Sequence, residues 1–128
     1  MNKEELFKQL IIDMSLDAQN GYPKEVCGII TDEFKYIPYK NLSTRPKVSF
    51  VLDPIALFDH EYDTWGIFHS HPGEENPLPS EEDAASTVFD CYKFLVGFAG
   101  NVYIYWYDQK LEILRYEEFE VRHLENGE

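Results

Sequence analysis

Two histidines one residue apart, His69 and His71, close the apolar run Gly66-Ile-Phe-His-Ser-His-Pro72. Side chains alternate along a strand, so both imidazoles leave the same face. A dozen residues on, Ser80-Glu-Glu-Asp83 offers a carboxylate on the first turn of a predicted helix. Two imidazoles, one carboxylate and an open fourth position form the ligand set of a catalytic zinc. His69, His71 and Asp83 are therefore the candidate metal ligands for one Zn2+ per chain. Each element alone has a plainer explanation. A His-x-His pair can occur on any surface strand, and Ser80 with an acid three residues later matches a capping box. The combination carries the reading: a buried strand, a loop over 72–79 with three prolines and one glycine, then a helix start bearing an acid.

Hydrolysis at such a site needs one more group, a carboxylate that takes a proton from water and returns it to the leaving amine. Glu25 stands at the head of the apolar run 26–30, where an acid is otherwise out of place. The alternative is that it merely flanks a strand on the solvent side. Glu74 and Glu75 lie in the loop beside the histidines, but a mobile loop holds a base poorly. His60 and His123 are isolated in charged surroundings and receive no metal role.

The elements that must position these groups follow from periodicity. Leu6, Leu10, Ile11, Met14 and Ala18 recur at helical spacing and predict an amphipathic helix over 3–19, ended by Asn20-Gly21-Tyr22-Pro23. Strands are predicted over 26–30, 36–39, 49–52, 65–69, 93–98, 102–107 and 111–116. Asp53-Pro54 opens a short helix to about residue 61, and Ser80 a helix to about residue 90. Residues 41–47 are polar, contain Pro46 and predict a loop. The sum is an α+β fold, a single mixed β-sheet flanked by helices.

With 128 residues the chain predicts one domain, residues 1–128. The acids at Glu117, Glu118, Glu120, Glu125 and Glu128 predict a mobile acidic tail over 117–128. A net charge of −13 argues against nucleic acid or an anionic membrane as the main partner. No run approaches the ~18 apolar residues of a membrane span, and the charged start Met1-Asn-Lys-Glu-Glu-Leu predicts no secretory signal. Cys27 and Cys91, widely spaced in apolar contexts, predict reduced thiols in a cytoplasmic protein.

Together, Glu25 with Cys27-Gly28, His69-Ser-His-Pro72 and Ser80-x-x-Asp83 resemble the JAB/MPN domains that carry the JAMM metalloprotease motif. The resemblance extends from the first helix to about Tyr116. It implies a cytidine-deaminase-like sheet, zinc on His69, His71 and Asp83, Glu25 as general acid/base through the zinc water, and Ser80 as an oxyanion donor. The loop between His71 and Ser80 is one residue longer than the usual spacing of that motif. Since closure entropy grows slowly with length, the change bears on the pose of Ser80 more than on the metal.

Tyr36-Ile-Pro-Tyr-Lys-Asn-Leu42 and Phe50-Val-Leu-Asp-Pro54 resemble prokaryotic and phage members, especially the peptidase domain of phage tail assembly proteins related to the lambda tail K protein. The implied partner is a protein or peptide substrate, a ubiquitin-like or sulfur-carrier tail or a phage tail component, in the bacterial or host cytoplasm. An extended tail of that kind could add as a strand beside the site. Two other readings stay open at this point: a non-catalytic MPN scaffold or assembly module, and a metal hydrolase acting on a small molecule.

Overall fold

Asn2 accepts the Glu5 N–H on its side chain at 2.9 Å, which caps helix α1 (Lys3–Gly21). The computed structural model describes residues 2–72, 93–98, 101–107 and 113–120. Among the described residues six strands follow in chain order: β1 (Cys27–Thr31), β2 (Tyr36–Tyr39), β3 (Thr64–Ser70), β4 (Lys93–Phe98), β5 (Asn101–Tyr107) and β6 (Ile113–Glu120), with the short helix α2 (Ile55–Asp59) before β3. They form one mixed sheet in the order β2-β1-β3-β4-β5-β6. Only β3 and β4 run parallel; the other neighbours are antiparallel. The α+β class and the single mixed sheet are as expected. Among the described residues no helix is long and apolar enough to cross a membrane.

The two faces of the sheet bury different sets. Leu10, Ile11 and Met14 of α1 pack on Ile30, Phe68, Val102 and Ile104. Cys27, Ile29, Ile67 and Tyr105 face the other way, beneath Phe50, Leu52 and Ala56. Strand alternation thus sends Phe68 toward α1 and His69 toward the second layer. Gly28 is needed for close approach. A Cβ there would sit 2.5 Å from the Ile37 carbonyl oxygen and 2.6 Å from the Tyr36 ring. At the far end of the β1–β2 hairpin, Phe34 adopts φ 60°, a left-handed conformation that costs a non-glycine residue about 1–2 kcal/mol. Its ring packs edge-on against Trp65 at 5.3 Å and Phe7 at 5.8 Å, which holds it there.

Three expectations change. The predicted strand 49–52 is not part of the sheet. Phe50 and Leu52 are buried while Val51 is exposed, so the alternation is present. Its backbone partners, however, are the Asn41 side chain and the Leu42 N–H, which donates to the Val51 carbonyl at 3.0 Å. The second helix stops at Asp59 instead of about residue 61, because Tyr62, 90% exposed, has no core to reach. Its start falls one residue later than read, with Pro54 as N-cap at helical φ in place of Asp53, whose Oδ1 nevertheless accepts the Ile55 N–H at 3.0 Å. The expected mobile tail over 117–128 begins too early, because β6 continues to Glu120. Pairing of Glu117 with Ile104 and Phe119 with Val102 gives that backbone its hydrogen bonds despite the acidic composition. The predicted helix 80–90, Cys91 and residues 121–128 lie outside the described residues.

Candidate metal centre

Register explains how Glu25 reaches two histidines more than forty residues away. In the antiparallel pair β1–β3, Cys27 faces His69 and Gly28 faces Phe68. Continued outward by two residues, the same register sets Glu25 against His71. The ladder does continue: the Ser70 N–H donates to the Val26 carbonyl at 3.0 Å, and the Val26 N–H donates to Ser70 Oγ at 2.9 Å. Glu25, His69 and His71 therefore share a face, with cross-strand neighbours about 5 Å apart at Cβ. Their ligand atoms all lie within 4.8 Å of one another.

Each of the three residues is anchored from behind. His69 is fully buried, its ring stacked on Phe50 at 4.5 Å and 17°. His71 is fixed through its backbone N–H, which donates to the Gly97 carbonyl at 2.8 Å and extends the β3–β4 pairing. Glu25 is buried; its N–H donates to the Pro46 carbonyl at 2.6 Å, and its carbonyl accepts from Asn41 Nδ2 at 2.9 Å.

The donor set fits a metal ion. His69 Nε2 and His71 Nε2 are 2.9 Å apart, so in this structure one ring donates to the other. Tetrahedral coordination at the usual Zn–N length separates two ligand nitrogens by about 3.3 Å. Small ring rotations span the difference, and a carboxylate oxygen stands beside both. Of the five residues singled out from sequence, Glu25, His69 and His71 are brought together; Ser80 and Asp83 lie outside the described residues, as do Glu74, Glu75 and His123. His60 sits at the end of α2 with Nδ1 3.0 Å from Asp63 Oδ1, away from the cluster.

Two supporting residues went unread in the sequence. Ser70 looked like a spacer between the histidines, yet its hydroxyl locks the Glu25–His71 register. Asn41 makes four hydrogen bonds: its amide donates to the Glu25 and Ser49 carbonyls, and its Oδ1 accepts the Ser43 and Val51 N–H groups. Its contact with Ser43 is an Asx turn, the one local sign available in a polar loop.

Cys27 lies under this cluster as a free, fully buried thiol. Burial first, then the negative charges of Asp17 and Glu25, push its pKa from 9.0 up to about 12. The fold favours the neutral thiol, so this contribution to stability is complete below pH 9.0 and declines as pH climbs toward 12. Because the thiolate is the nucleophile, Cys27 is expected to resist iodoacetamide at pH 8 in the folded protein and to react once unfolded. Mass mapping of the alkylated peptides separates it from Cys91; equal labelling of Cys27 in both states would contradict the burial argument.

No curated protein matches the chain. The sequence profile of prokaryotic homologs of the JAB domain matches residues 7–115, which takes in most of α1, the sheet through the start of β6, and Glu25, His69 and His71. The chain belongs to that family, the prokaryotic homologs of the JAB domain.

Proposed function

We propose that this chain is a JAMM-type zinc metallopeptidase that hydrolyses a peptide or isopeptide bond with metal-activated water. The observation that carries the reading is the convergence of Glu25, His69 and His71, at the adjoining ends of β1 and β3, within 4.8 Å. In this reading His69, His71 and Asp83 hold the ion. Bound zinc would supply Lewis-acid activation, lowering the pKa of a water toward about 7. Glu25 accepts the proton as water attacks the carbonyl and delivers it to the departing amine. Ser80 donates a hydrogen bond to the developing oxyanion. Burial of Glu25 and His69 keeps both side chains in one pose, the preorganisation that such chemistry needs. The substrate is the extended tail of a ubiquitin-like or sulfur-carrier protein, or a component of phage tail assembly.

The test pairs metal content with cleavage. Purified protein offered zinc should retain about one ion per chain, and His69→Ala should retain none. Candidate ubiquitin-like tails and tail-tube components, followed by mass, should be cut by the loaded protein and left intact after chelation. Cleavage that persists in the metal-stripped protein would remove the basis of the proposal.

A further inference from the structure

Acidic residues outnumber basic ones 24 to 11 in this chain, but not evenly. From Phe34 to Leu52 there are four cations, Lys35, Lys40, Arg45 and Lys47, and no Asp or Glu. That stretch wraps around Glu25 through the Pro46 and Asn41 hydrogen bonds. Where it meets the end of α1 and strand β2 lies a cavity of about 420 Å³, with Lys24, Lys40 and Glu25 in its wall. This is within the range of clefts that hold side chains and small ligands.

The charges lining the cavity are unequal in what they have left to offer. Asp17 accepts the Tyr36 hydroxyl at 2.6 Å. Burial, and then that hydrogen bond, raise the Tyr36 phenol well above its ordinary range, so it remains a donor. Glu25 belongs to the cluster with His69 and His71. Lys24 and Lys40 are both exposed and, among the described residues, form no ion pair, whereas Lys8 pairs with Glu4 and Lys35 with Glu33. Two ammonium groups thus stand at a cavity that shares Glu25 with the candidate metal centre.

We propose that this cavity is a specificity subsite for an acidic residue of the polypeptide substrate, with Lys24 and Lys40 recognising its carboxylate close to the bond that is cut. The proposal deepens the hydrolytic reading above and rests on it for the word substrate. The occupant is an acidic peptide segment, chosen by charge complementarity. Long-range forces do not supply this preference, because a molecule of net charge −13 repels an acidic peptide from a distance. Any preference for one must arise locally.

The experiment measures binding separately from hydrolysis. Two peptides with an uncharged fluorophore, Gly-Ser-Gly-Glu-Glu-Gly-Ser-Gly and its Gln-Gln counterpart, are titrated with the purified protein by anisotropy, and each is checked by mass for cleavage. The acidic peptide should bind about five- to tenfold more tightly than the neutral one, as a pair of semi-desolvated ion pairs would give. The double variant Lys24→Ala/Lys40→Ala should bring the two peptides within about twofold, and Lys8→Ala should leave the preference intact. Equal affinities in the wild type, absence of binding by either peptide, or a preference that survives the double variant each overturns the subsite. If the preference holds while zinc-loaded protein cuts nothing, the hydrolytic reading fails and the anion site stands.

Discussion

Glu25→Gln is expected to lower turnover by roughly a hundred- to ten-thousand-fold, the usual contribution of a positioned general base. The substitution keeps the shape of the side chain and the backbone bonds to Pro46 and Asn41. It removes the negative charge and with it the capacity to accept a proton. Zinc content should be unchanged, because the ion is assigned to His69, His71 and Asp83. Stability should hold or rise, since the substitution replaces a buried carboxylate with a neutral amide of the same shape. Removing that charge also takes away one of the influences that raise the Cys27 pKa, so the thiol should titrate lower in the variant. Turnover, metal analysis and thermal melting read these outcomes separately. A fully active Glu25→Gln protein would assign the base elsewhere; one that sheds its zinc would make Glu25 a ligand.

The second large effect belongs to Asn41. Asn41→Ala removes four hydrogen bonds at once and leaves two carbonyls and two N–H groups to find water. At about 0.5–1.5 kcal/mol for each bond, and with less than full additivity, the loss should reach about 2–4 kcal/mol. For a domain of this size that lowers Tm by roughly 8–15 °C. Turnover should fall at least about tenfold as well, because misplacing a base by an ångström is costly. Asn41→Asp is the informative partner. It keeps the acceptor for Ser43 and Val51 but sets a negative charge against the Glu25 and Ser49 carbonyls, so it should be no better than alanine. Melting curves that differ from wild type by less than about 1 kcal/mol would show that the loop is held by something other than Asn41.

The legible parts of the fold were those set by local periodicity. Leu10, Ile11 and Met14 at helical spacing define the buried face of α1, and the apolar alternation through Ile67 and His69 defines β3. Periodicity misled at 49–52, where Phe50 and Leu52 alternate like strand residues but a side chain, Asn41, supplies the pairing. It also failed at Glu117–Glu120, whose strand is imposed by a neighbour in the sheet and not by its own composition. In the site, the histidine pair could be read because both ligands fall within three residues. Glu25 could be read because a lone acid before an apolar run is out of place. Asn41 and Ser70 were harder, since their contacts to the Glu25 and Val26 backbone span 16 and 44 positions, and the Asx turn of Asn41 with Ser43 marks a turn but not that contact.

The outer strands of the sheet, β2 and β6, bear on how this protein behaves when concentrated. An unguarded margin invites another copy to zip on, the first step toward fibrils. On one side Pro38 interrupts β2 with a residue that has no N–H to offer, and on the other the β6 sequence includes Glu117, Glu118 and Glu120. The first guard is independent of conditions. The second rests on charge and is screened by salt, so loss of colloidal stability at high ionic strength should begin along the glutamate-bearing margin.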